Sequence, residues 1–138
     1  MTKLVEMPMK EAKLINEKAL NDFKKHFRSI NNEQWFNMKD GFICYFKTND
    51  VQNGVYYDQK GRWQYNLKVY DEEKLPVDIR AVVKSTYFDF AITIVDEIQN
   101  VETKIYIVHL EDKTTLKTLL VTKDGDMDLI QSIEKNLF

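Results

Sequence analysis

The sequence predicts an α+β fold made of two tandem repeats, each a helix followed by an antiparallel sheet. Three observations lead there: glycine-centred turns between β-rich stretches, two helical stripes of equal spacing, and the same order of elements in both halves. The 138 residues suit a single domain, 1–138, and folding at this size buries roughly 68% of the unfolded chain's surface. A core of that extent needs neither disulfide nor metal.

The elements follow in order. Asn16 is placed to cap a helix running to about Arg28, with Ile15 and Leu20 as a hydrophobic staple. Ala19, Phe23 and Phe27 form its apolar stripe. Strands rich in aromatic and β-branched residues are expected at Glu33–Met38, Phe42–Thr48, Val55–Asp58 and Arg62–Tyr70. Gly41, Gly54 and Gly61 are read as the turns that divide them, and Gly125 as a fourth turn. All four glycines are thereby used, leaving none for a phosphate-cradling loop.

Pro76 suits the first position of a second helix, whose Ile79, Val83 and Tyr87 repeat the first stripe. Further strands are expected at Ala91–Ile98, Thr103–Glu111 and Thr115–Thr122. After Gly125, Leu129, Ile130, Ile133 and Leu137 are spaced for a short C-terminal helix, with Asp126 or Asp128 as its cap.

The halves align as a duplication, repeat one at about 12–72 and repeat two at about 73–138. The stripe Ala19, Phe23, Phe27 maps onto Ile79, Val83, Tyr87 at an offset of 60, which sets Trp35 on Val95. An offset of 63 brings Ile43 onto Tyr106 and Phe46 onto His109, and one of 64 brings Gly61 onto Gly125. A longer loop at Gln99–Lys104 explains most of the drift.

One ordered set of residues resembles a known family. It runs from Glu33-Gln34-Trp35-Phe36 through Gly41-Phe42-Ile43-Cys44-Tyr45-Phe46 to Tyr56-Tyr57-Asp58-Gln59-Lys60-Gly61-Arg62-Trp63. Leu75-Pro76-x-x-Ile79-x-x-x-Val83-x-x-x-Tyr87 and Lys123-Asp124-Gly125 complete it. Over roughly Asn16 to Met127 the order is similar to PepSY-like proteins of Bacteroidetes, which have a β-lactamase-inhibitor-protein-like fold. The resemblance implies one curved sheet with helices on one face, export to the periplasm or cell surface, and protein binding on the concave face. The C-terminal helix lies outside the family pattern, and so does a chain without a signal.

Chemistry is limited by inventory. His26 and His109 are the only histidines, so a three-histidine zinc site is excluded, and no His-Glu-x-x-His motif occurs. A Cys44–His dyad would require a neighbour that orients the imidazole, and Cys44 and both histidines are read as packing or edge residues instead. Asp124, Asp126 and Asp128 match ligand positions one, three and five of a calcium loop. Leu129 stands where that loop needs glycine, and Lys135 where it needs glutamate. Ser29, Ser85 and Ser132 lie outside any Gly-x-Ser-x-Gly elbow. No catalytic residue, metal or cofactor is assigned.

Partners are bounded by charge. A net charge of −2 offers no basic field for phosphates, so nucleic acid is not expected. No apolar run approaches the ~18 residues of a membrane span. Met1–Lys10 lack the apolar stretch of a secretory signal, which leaves a cytoplasmic protein or one whose signal has been removed. Cys44, being alone, forms no internal disulfide.

Aromatics carry the functional expectation. Of eight Phe, seven Tyr and two Trp, ten lie between Trp35 and Tyr70. Strand alternation puts Phe42, Cys44 and Phe46 on one face with Ile43 and Tyr45 on the other, and groups Trp63 with Tyr65. A sheet covered on one side should read apolar-in and polar-out, yet this half is apolar on both sides over part of its length. Either the second face is covered too, by the C-terminal helix or a second subunit, or it presents a Tyr/Trp-rich surface to a partner. The expected function is a non-enzymatic binding module with a protein partner, touching it through Trp35, Tyr45, Tyr57, Trp63 and Tyr65. Two alternatives stand beside it: a small-ligand carrier or enzyme of cystatin or nuclear-transport-factor-like type, and a self-associating structural subunit.

Overall fold

The structure, a computed structural model, describes residues 5–6 and 16–136. The expected staple at Ile15 and the helical position Leu137 lie outside the described residues. The chain divides into two compact units, Met1–Leu67 and Lys68–Phe138, each with one helix and an antiparallel sheet.

In the first unit α1 spans Glu17–His26, and the strands are β1 Val5–Glu6, β2 Gln34–Met38, β3 Gly41–Thr48 and β4 Val51–Asp58. A fifth strand, β5 Trp63–Tyr70, begins here as the neighbour of β4 and runs past the division. β1 pairs antiparallel with β2, β2 with β3, and β3 with β4. Asn16 caps α1 as expected, its side-chain oxygen accepting from the Lys18 N–H at 2.8 Å. Glu17 at the start and Lys24 and Lys25 at the end complement the helix dipole. Ala19 and Phe23 are buried, and Phe27 ends the helix with its N–H bonded to the Phe23 carbonyl at 2.8 Å.

The β3–β4 turn is not where Gly54 was expected to place it. It falls at Asn49 and Asp50, whose φ values of 47° and 65° join Thr48 to Val51 in a two-residue hairpin. Asn and Asp tolerate this left-handed geometry, so the hairpin needs no glycine. Gly54 sits inside β4, opposite Tyr45. A Cβ there would lie 3.1 Å from Ile43 Cδ1 and 3.3 Å from the Tyr56 ring, so the position serves close packing.

In the second unit a 3-10 turn at Glu72–Lys74 leads into α2 Val77–Thr86, then β6 Ala91–Gln99, β7 Lys104–Glu111, β8 Thr115–Thr122 and β9 Met127–Glu134. Pro76 is the residue before the helix, one place earlier than expected, and its carbonyl accepts the Arg80 N–H at 2.9 Å. Ile79 and Val83 are buried, as are Val95, Val108, Leu110, Leu119 and Val121 on one parity of the sheet. Tyr70, the last residue of β5, donates its hydroxyl to the buried Glu97 at 2.6 Å. Burial, and then Glu97, push this phenol well above the usual tyrosine range.

The expected C-terminal helix is instead the strand β9, antiparallel to β8. Its register explains the misleading pattern. Thr118 faces Gln131 while Leu119 faces Leu129, so Ile130 is an extra residue in a bulge. The extra residue breaks the period of two, and Leu129, Ile130 and Ile133 then fall at helix-like spacing. Asp126 and Asp128 cap nothing. Asp126 belongs to the preceding turn, its N–H bonded to Thr122 Oγ1 at 3.1 Å, and Asp128 pairs with Leu120.

Candidate functional site

The aromatic expectation is tested by register. In the first unit Trp35 pairs with Cys44 and Cys44 with Val55, while Phe42 pairs with Tyr57. These residues share the face that packs on α1, where Ala19, Phe23, Cys44, Phe46, Val55 and Tyr57 form one buried cluster. Phe42, Trp35 and Trp63 close over it, half-buried. Phe23 is its hub, with ring centroids 5.7 Å from both Trp35 and Phe46 and 5.0 Å from Phe27. Tyr57 is 3% exposed and donates its hydroxyl to Asp22 of α1 at 3.1 Å. Its phenol is raised by burial and then by the Asp22 charge. Burial also pushes up the Cys44 thiol and so disfavours its thiolate.

The opposite face carries the other parity. Phe36 pairs with Ile43 and Ile43 with Tyr56, while Tyr45 lies across from Gly54. Ile43 at 3% exposure and Tyr56 at 9% form a closed floor. Tyr65 stacks on Tyr56 with centroids 4.3 Å apart and rings 17° from parallel. Phe36, Tyr45 and Tyr65 remain half-buried around that floor. The Tyr56 phenol is pushed up to about 12, first by burial and then by Tyr65, and burial raises Tyr65 as well. Both hydroxyls are therefore neutral hydrogen-bonding groups at physiological pH.

Strand parity groups Trp63 with Tyr65, and the structure separates them. Trp63 closes the α1 cluster, whereas Tyr65 stacks on Tyr56 of the other face. The Trp63 indole N–H donates to Asn66 Oδ1 at 2.9 Å, joining residues that regular alternation would set on opposite faces. Alternation is thus broken at the start of β5. The five expected contact residues form no single surface. Trp35, Tyr57 and Trp63 belong to the α1 cluster, and Tyr45 and Tyr65 to the opposite face. Phe36, which the sequence reading did not select, joins the latter through its pairing with Ile43.

The other chemical candidates are dispersed. His26 Nδ1 contacts the Asp22 carbonyl at 2.9 Å, and His109 Nε2 contacts Asp96 at 3.1 Å. Among the described residues no group of three His, Cys, Asp or Glu is placed to hold a metal ion. An open hollow of about 360 Å³ at the β6–β7 loop is lined by Gln99, Lys104, Tyr106 and Lys123, among others. Among the described residues no helix is long and apolar enough to cross a membrane.

No protein-family model matches the sequence, and no curated protein matches it either. Solved structures do. A DUF2874 family protein from Bacteroides ovatus superposes with a TM-score of 0.72 at 16% identity, over 87% of each chain. A BLIP-like protein from Bacteroides fragilis gives 0.70 at 14% identity, over 87% of this chain and 86% of that one. A Bacteroides eggerthii structure, described as a candidate periplasmic protein, gives 0.69 at 14% identity over 87% and 88%. Likeness at such identities speaks for the fold alone: this chain is an α+β protein with the fold of the BLIP-like Bacteroides protein.

Proposed function

We propose that the chain is a non-enzymatic protein-binding module that docks its partner on the first unit's sheet, through Tyr45 and Tyr65 with Phe36 beside them. One observation carries the reading: half-buried aromatics surround a closed floor on the face away from α1. A rigid ring with a neutral hydroxyl supplies contact area and a polar tip at little entropic cost. Likeness to a protein named BLIP-like supports a binding role by fold analogy only. The candidate periplasmic neighbour and the resemblance to PepSY-like proteins support an exported location.

The two units are read as tandem repeats. In support, Phe27 and Tyr87 end their helices with matching backbone bonds to Phe23 and Val83, at 2.8 and 2.9 Å. The turns agree as well, since Gly61 bonds to Asp58 and Gly125 to Thr122, both at 3.0 Å. A helix in each unit weighs against the carrier reading, which needs one helix enclosing a pocket against one sheet.

Self-association is favoured by a separate observation. On the second unit's sheet, Ile94, Leu116 and Ile133 are 39%, 41% and 46% exposed. Native mass spectrometry separates the readings, because a dimer lost in Ile133→Glu would replace the heterologous partner with a second copy.

The direct test immobilises the wild-type chain and the Tyr45→Ala/Tyr65→Ala variant at matched folded fraction, and captures partners from the envelope of the source cell. The variant should bind about thirtyfold more weakly, the equivalent of about 2 kcal/mol for aromatic hot spots. Equal capture by both proteins sinks the proposal.

A further inference from the structure

We draw no further inference here: the strongest candidate, the aliphatic face of the second unit's sheet where Ile94, Leu116 and Ile133 stand half-exposed opposite the fully buried Val95, Val108 and Leu119, carries nothing because nothing in the structure shows what covers it.

Discussion

Asp58 ties one turn together. Its carboxylate accepts the backbone N–H groups of Lys60 and Arg62, both at 2.9 Å, and the Arg62 guanidinium at 2.7 Å. These bonds, the Arg62 backbone bond foremost, hold the carboxyl below the usual aspartate range. A lowered folded value means that the stabilisation is complete above the unfolded value of about 3.9 and disappears as pH falls through the folded one. Wild type should therefore melt higher than Asp58→Asn at pH 7, with the gap closing below about pH 4. A gap constant with pH would show that the carboxylate charge is irrelevant. Gly61, in the same turn, has a φ of 81°, and an added Cβ would collide with the Asn16 side chain that caps α1. Gly61→Ala should cost about 2 kcal/mol, from backbone strain and the disturbed cap together. Chemical denaturation measures this directly. Asn16 was legible as a cap because capping involves only the next few residues. Tyr57 and Tyr45 were not separable as core and surface, because their difference lies in pairing across strands.

At the scale of the element, the stripe on α2 is the sharpest test of burial. Val83 is 0% exposed, so Val83→Asp forces a carboxylate into the core at a cost of several kcal/mol. Pro76→Ala should change stability by less than about 1 kcal/mol, since the missing N–H sits where helices leave donors unpaired anyway. Similar melting temperatures for the two would mean that α2 is packed by another face. The broken alternation in β5 makes a second contrast. Trp63→Ala removes part of the α1 cluster and should cost about 2–4 kcal/mol, whereas Tyr65→Ala loses one stacked, half-buried ring and should cost about 1–2 kcal/mol. Equal denaturant midpoints would restore the same-face reading. Both helices were legible because each stripe at i, i+4, i+8 comes with a start signal, Asn16 for α1 and Pro76 for α2. β9 was not, since a single bulged residue gave a strand the spacing of a helix turn.

For the molecule as a whole, the order of helices and strands was largely written in the chain, with β9 the exception, and the units divide within β5. The candidate surface was only partly written. Aromatic content marked the strands of the proposed surface, but choosing a face requires knowing which residue of β2 meets which of β3. The Asp124–Asp128 run folds as a turn and the start of a strand, which predicts that a chelator leaves the melting temperature unchanged. A fall of more than a few degrees would show a bound ion that contributes to stability.

The chain's two tryptophans, Trp35 and Trp63, both pack around α1 in the first unit. Intrinsic emission excited at the red edge is therefore a gauge of that cluster. Phe23, edge-on to Trp35, makes the signal sensitive to the seating of the helix. A substitution that loosens only α2 should register in far-ultraviolet dichroism and leave the emission maximum in place. One that unseats Phe23 should shift the emission to the red.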